Sequence, residues 1–324
     1  IDENGRQIAE YRHTPAEDIP VYPVRDAQGQ DLQVRIRFPG RDVAVKIWRA
    51  DVGRVPVLLL DTEVAGNQPA DQRITQTLYG GDQTMRIEQE IVLGVGGVRA
   101  LRATGFRPAV WHINEGHPAF QIIERARELV ADGLPFDAAL EALAAGTAFT
   151  THTPVAAGHD VFPPELVVKY FEPLLGELGI TADRLLAMGR NAENDGRFNM
   201  TRLAVTGARC INGVSRIHGG VSQQILAAAW PEIPPRENPV GYVTNAVHVP
   251  TFMRQEWAEL LEQHLGTSWR AELTDRELTE SILDIPDGRF WYVKQRVKSE
   301  MLTALRGRIT RQHQRNRVSE AHTH

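Results

Sequence analysis

Apolar and polar residues alternate over Leu32, Val34, Ile36 and Phe38, and again over Val43, Val45 and Ile47, with Pro39-Gly40 between the two runs. Alternation with period two around a Pro-Gly turn predicts an antiparallel hairpin. The run from Val55 to Leu60 is continuously apolar, ends at Asp61 and predicts a buried strand. Residues 1–61 therefore read as a β-rich segment. From Asp82 the period becomes helical, through Met85, Ile87, Ile91, Val92, Val95, Val98 and Leu101, with Asp82 as the cap. Inside this helix lies Leu93-Gly94-Val95-Gly96-Gly97-Val98-Arg99. It is not a dinucleotide fingerprint, because Arg99 stands where the third glycine would fall and no strand precedes it. Each glycine costs a helix about 1 kcal/mol relative to alanine, so close packing of another backbone is the expected compensation.

Further along, strands and helices alternate. Strands are predicted over 110–113, 148–151, 210–214 and 241–244. Helices are predicted from about His117 to Ala131, from an Asp137 cap through Leu143, from Pro164, from Thr181, over 199–208 and from a Ser215 cap to Ala229. Repeated β–α units predict a parallel sheet with helices on both faces, in which ligands sit past the carboxyl ends of the strands. Residues 62–255 read as this α/β domain. Residues 256–324 read as a helical linker, with helices over 257–265, 275–283 and 287 to about 318; the last is rich in Lys, Arg and Gln, with spaced Val293, Val297, Met301 and Leu305.

Composition narrows the function. The net charge of −5 gives no electrostatic reason to bind nucleic acid or an anionic membrane. No stretch reaches the roughly 18 apolar residues of a spanning helix. The single cysteine, Cys210, excludes an internal disulfide and favours a reducing, cytoplasmic setting. In its apolar run it reads as a buried free thiol rather than a nucleophile. The opening Ile1-Asp2-Glu3 is neither a signal peptide nor a start, so the chain is expected to begin inside a longer product.

Four strand ends carry similar polar clusters: Asn114-Glu115-Gly116-His117-Pro118; His152-Thr153-Pro154 running to Gly158-His159-Asp160; Ser215-Arg216-Ile217-His218; and Asn245-Ala246-Val247-His248. Short hydrogen-bonding side chains at one sheet edge suit a hydroxyl-rich ligand, since every buried hydroxyl requires a partner. Other readings compete. Glu115 and His117 could cap the following helix. The histidines lack the spacing of a helical zinc pair, and there is no cysteine cluster, so no metal is assigned. His218, one turn into a helix, reads as a packed or capping residue. Glu115 and Asp160 could form the carboxylate pair of a glycosidase, a reading that depends on their separation.

These clusters resemble a known family. Asn114 to Phe120, Thr151-His152-Thr153-Pro154 with Gly158-His159-Asp160, Asn199-Met200 through Val214-Ser215-Arg216-Ile217-His218, and Thr244-Asn245-Ala246-Val247-His248-Val249-Pro250-Thr251 are similar, in order, to motifs of the α-glucan phosphorylases. Leu78-Tyr79-Gly80-Gly81-Asp82 resembles the shorter bacterial branch. The resemblance implies a Rossmann-like amino-terminal domain of a GT-B glycosyltransferase, truncated at both ends. It implies an enzyme that uses inorganic phosphate to release glucose 1-phosphate from the end of an α-1,4-glucan. It also implies pyridoxal phosphate held by a lysine in a carboxyl-terminal domain beyond this chain, and is compatible with a homo-oligomer. Two alternatives are a non-catalytic glucan-binding module and a nucleotide-sugar glucan synthase of the same fold.

By position, the resemblance implies that His152 lies at the scissile glucose as the catalytic contribution of this chain. Asn245 would bind the sugar 6-hydroxyl, Glu115 and His117 would close the glucose pocket, and Asp160 would lie in the acceptor loop. Phe252 stands beside the cofactor where the family usually has Trp, and Ala246 replaces a usual Gly. The glycine-rich loop that approaches the cofactor phosphate is not found, and none of Lys46, Lys169, Lys294 and Lys298 sits in a matching context.

Overall fold

A computed structural model describes residues 14–315 except 79, 156–157 and 191–195. These form two compact units, divided between 245 and 246. In the first, β1 (Tyr22–Pro23), β2 (Gln33–Phe38), β3 (Arg41–Val52) and β4 (Val55–Asp61) make an antiparallel sheet centred on β3. The predicted hairpin is present: Phe38 pairs with Arg41, and Gly40 takes φ +72° at the turn. Val34, Ile36 and Phe38 are buried and their neighbours exposed, as the alternation requires. β4 departs from its reading as a buried strand. It pairs with β3 on one side only and turns alternate residues to solvent, leaving Val55 56% exposed while Leu58 and Leu60 pack on the core.

The short α1 (Pro69–Gln72) leads to α2 (Gln83–Ile91), whose cap is Asp82: its Oδ1 accepts from the Met85 N–H at 2.9 Å. α2 continues through a π turn at 92–96 into α3 (Gly97–Ala103). Two of the three glycines permit close approach. A Cβ on Gly94 would lie 2.8 Å from the Gln121 nitrogen and 2.9 Å from the Phe120 Cβ, and one on Gly96 would lie 2.9 Å from Ile36 Cδ1. Gly97 meets nothing.

The rest of this unit comprises β5 (Trp111–Asn114), α4 (Gln121–Ala131), α5 (Phe136–Ala145), β6 (Thr147–Thr150), β7 (Val161–Phe162), α6 (Pro164–Leu178), α7 (Ala182–Gly189), β8 (Phe198–Asn199), α8 (Met200–Thr206), β9 (Cys210–Gly213), α9 (Arg216–Ile225) and β10 (Val240–Tyr242). β10, β9, β6 and β5 form a parallel sheet in that order. The fold is thus mixed α/β with a parallel sheet. β7 and β8 form a small antiparallel ribbon. Phe120 packs against Phe171 and Phe198, with centroids 4.7 and 6.2 Å apart, in a core shared with the antiparallel sheet.

Two local expectations are corrected. Asp137 does not cap α5; the cap position is the extended Pro135, and Asp137 sits in the first turn and accepts from Arg184 at 2.6 Å. Cys210 is exposed, because the alternation of β9 buries Ile211 and turns Cys210 to the other face.

The second unit contains α10 (Val249–Phe252), α11 (Gln255–Leu265), α12 (Arg276–Glu280) and α13 (Asp287–Arg315). Trp257 of α11 meets Phe290 of α13 at 4.7 Å, and Trp269 is buried. No residue of α13 is buried, and the predicted continuation over 316–318 lies outside the described residues. Among the described residues no helix is long and apolar enough to cross a membrane.

Replacing Gly94 by Ala is expected to lower stability by about 1–3 kcal/mol through overpacking, whereas Gly97→Ala is expected to be neutral or slightly stabilising. Thermal unfolding of the two variants measures the difference.

Candidate functional site

The parallel sheet brings its strand ends to one edge. Pairing continues past the strands: the Glu115 N–H donates to the Thr150 carbonyl at 2.9 Å and the Thr151 N–H to that of Asn212 at 3.0 Å. The Val243 N–H donates to the Gly213 carbonyl at 2.9 Å and the Asn245 N–H to that of Val214 at 3.2 Å. Residues 115, 152 and 245 therefore leave strands of one sheet at the same rim. A second line of bonds crosses the sheet, from His112 Nε2 to Thr150 Oγ1 at 2.7 Å and from Thr150 Oγ1 to Asn212 Oδ1 at 3.0 Å.

Glu115 is the non-glycine residue with positive φ among the described residues, at +62°. The left-handed conformation costs a residue of this type about 1–3 kcal/mol and persists only where the surroundings enforce it. Here the next residue, Gly116, is pressed on the start of α8; a Cβ there would lie 3.1 Å from the Thr201 nitrogen. The turn sends the Glu115 carboxylate back to the His152 loop, where Oε1 accepts from the His152 N–H. His152 Nε2 donates in turn to Asn114 Oδ1 at 2.9 Å, which fixes its tautomer. Glu115, His152 and Asn114 are thus one bonded group.

His117 and Asp160 form a second group. His117 Nδ1 lies 3.0 Å from Asp160 Oδ2, and Arg86 Nη2 donates to that oxygen at 2.6 Å. Asp160 is held where it is by the β7–β8 ribbon that begins at Val161, and its carbonyl accepts from the Met200 N–H at 3.0 Å. Arg86 also reaches Glu90 Oε1 at 3.3 Å, and His117 Nδ1 lies 3.7 Å from the same oxygen. The hydrogen bond to Asp160, then the contact with Glu90, raise the His117 pKa to about 9 against the effect of burial. Burial pushes Glu90 up to about 8. Burial would also raise Asp160, but His117, Glu90 and Arg86 together hold it far below the usual carboxylate range.

The glycosidase pairing of Glu115 and Asp160 finds no support, since one is bonded to the His152 backbone and the other to Arg86 and His117. Glu90, His117 and Asp160 have ligand atoms within 4.8 Å of one another. The Arg86 guanidinium already supplies the positive charge a cation would bring, so the group reads as an ion-paired cluster. His218 is structural, as its place in the helix implies: Nδ1 accepts from the Val214 N–H at 3.2 Å and Nε2 donates to the Thr153 carbonyl at 3.2 Å. The exposed side chain of Asn245 stands at the shared rim, two strands from β6. Phe252 belongs to the second unit and is 78% exposed.

Sequence reasoning did not single out Arg86 and Glu90. The available signal was an i, i+4 Arg–Glu pair in a helix whose apolar phase places Glu88 and Glu90 beside the core positions Ile87 and Ile91.

The model of the carbohydrate phosphorylases matches residues 71–322. The chain belongs to the carbohydrate phosphorylase family. It is 39% identical to a glycogen phosphorylase of Mycobacterium tuberculosis, over 94% of this chain and 36% of that protein. It is 36% identical to a maltodextrin phosphorylase of Thermococcus litoralis, over 99% of this chain and 38% of that protein. A glycogen phosphorylase of Aquifex aeolicus is 33% identical over 90% of this chain and 42% of its own length. The chain thus spans well under half the length of these relatives.

His117 holds its proton to about pH 9 in the folded chain and to 6.5 otherwise, so the stability it adds is complete below pH 6.5 and is lost as pH rises through 9. Glu90 acts in the same sense between 4.5 and about 8, because only the unfolded carboxyl ionises early in that window. The urea midpoint is therefore expected to fall from pH 5 to pH 9. In Asp160→Asn the His117 imidazole is expected to titrate closer to 6.5, as followed by NMR.

Proposed function

We propose that this chain is the glucose-binding part of an α-glucan phosphorylase, forming one side of the cleft in an enzyme of GT-B architecture. The observation that carries the reading is the meeting of Glu115 and His152 at a strained strand end, in a chain of the carbohydrate phosphorylase family. The names of the relatives, glycogen and maltodextrin phosphorylase, point to an α-1,4-glucan and inorganic phosphate as substrates. The domain division then follows function: a β-rich segment over 1–61 buttresses the glucan-binding part over 62–255, and the helices over 256–324 lead to the rest of the enzyme.

The residues have distinct tasks. His152, fixed by Glu115 and Asn114, orients the terminal glucose and places polar groups beside the bond that breaks. Such preorganised groups are worth several kcal/mol in a transition state because they need not reorient as charge develops. Glu115 and His117 close the pocket, and Asp160 lines its acceptor side. Asn245 lies about 10 Å from the β6 rim, two strand spacings away, and takes a hydroxyl at the far end of the ring.

Pyridoxal phosphate is the cofactor the family resemblance implies, and it supplies a phosphate group for proton exchange with the substrate phosphate. The described lysines do not fit it. A Schiff-base lysine needs a desolvated seat. Lys46 pairs with Asp31 at 2.8 Å and lies over Trp48, Lys169 and Lys294 lie over Tyr170 and Trp291, and Lys298 is exposed. The cofactor lysine is therefore assigned to a part of the enzyme outside this chain, with Phe252 as the contact from this side. A reducing, cytoplasmic setting accords with the exposed free thiol of Cys210.

The purified 324-residue chain is expected to bind maltodextrin but to form no glucose 1-phosphate with phosphate; turnover by the chain alone would refute the division of labour. Glu115→Ala and Asn245→Ala are each expected to weaken maltodextrin binding about tenfold in calorimetry, the loss of one charged or well-placed hydrogen bond. In a complete enzyme carrying this segment, His152→Ala is expected to lower kcat by about 100-fold or more with a smaller change in KM. A nucleotide-sugar synthase would instead require a nucleoside diphosphate donor in the same assay.

A further inference from the structure

Glu90 is 2% exposed; its Oε1 shares Arg86 and His117, at 3.3 and 3.7 Å, with Asp160, which both approach more closely, and its Oε2 meets no partner. A carboxyl oxygen of Glu90 lies within 4.8 Å of one of Asp160. Two carboxylates this close in a buried site repel each other, and the repulsion is relieved when one of them takes up a proton. Asp160 has its charge answered by Arg86 and His117, whereas Glu90 is the more deeply buried and has an oxygen without a donor. The proton therefore belongs to Glu90. The groups that face it are Arg86 from its own helix, His117 from the loop after β5 and Asp160 from the loop before β7. Glu88, on the same helix, is engaged elsewhere, with Arg41 and Tyr170.

We propose that Glu90 is a positioning residue of the sugar pocket that works as the neutral acid: while protonated it leaves Arg86 and His117 to hold Asp160, and its ionisation sets two carboxylates against each other and loosens the seat of His117. This deepens the glucan-binding reading above and rests on it for the ligand. It also gives the pocket an alkaline limit set by a residue that does not itself line it. A buried glutamate that only filled space would impose no such limit.

The test compares the 324-residue chain with Glu90→Gln, which keeps the shape of the neutral acid, and Glu90→Ala. Two measurements are made: carbon-13 NMR of glutamate carboxyls from pH 5 to pH 10, and calorimetric binding of maltoheptaose over the same range. In the unaltered chain one carboxyl is expected to titrate close to pH 8, absent from Glu90→Gln. Its affinity should fall about tenfold per pH unit above that point, the slope for loss of one required proton. Glu90→Gln should bind within about twofold of the unaltered chain at pH 7 and lose that step, leaving only the later fall that belongs to His117. Glu90→Ala should bind weakly throughout; if it does not fold, the Gln variant carries the test. The absence of any carboxyl titrating above pH 6, or identical pH profiles in the unaltered and Gln chains, would overturn the proposal. A chain with the carboxyl titration but no affinity for maltoheptaose would keep the proton on Glu90 and refute the sugar pocket.

Discussion

The register of β5, β6, β9 and β10 governs where the polar groups at the strand ends of the parallel sheet stand. In a parallel sheet all strands end on the same side, and the backbone pairing here runs past the strand ends before the loops diverge. Glu115 and His152 meet because their strands are adjacent and end level. A slip of one residue would turn each side chain to the opposite face of the sheet and separate them. The polar line from His112 through Thr150 to Asn212 opposes such a slip, since it bonds side chains only in the observed register.

Around that edge two different devices hold the polar groups. The Glu115–His152 group is fixed by backbone, through a left-handed residue wedged by Gly116 against α8. The His117–Asp160 group is fixed by charge, through Arg86 and a nearly inaccessible acid. Low dielectric strengthens every member of the second group while its pairings are complete and makes any unpaired charge expensive. The second device depends on its count of protons.

Much of this was legible in the sequence, and for physical reasons. Asp82, Thr181, Asn199 and Ser215 each accept from a backbone N–H of the first turn that follows, a local bond that residue type and position reveal. The hairpin at Pro39-Gly40 is also local, and glycine within a helix marks the close approach at Gly94, though not its distant partner Gln121. The failures were matters of what lies opposite. β4 looked buried because its apolar run says nothing about whether a second strand or layer covers it, and Cys210 looked buried for the same reason. The partnership of Arg86 with Asp160 spans 74 residues, a distance at which sequence spacing carries no geometric information.

The π turn at 92–96 has a bearing on how relatives of this chain can vary. An α-helix turns about 100° per residue, so one additional residue in a turn rotates everything after it by that angle. The first half of this long helix thereby presents Arg86 and Glu90 to Asp160 and His117, while the second half presents Arg99 and Arg102 to Glu124 and Glu128 of α4. The turn works as a gearbox between two faces that a uniform helix could not serve together. Loss of a single residue from it would disengage one set of contacts or the other, so the length of this stretch is constrained more tightly than its composition.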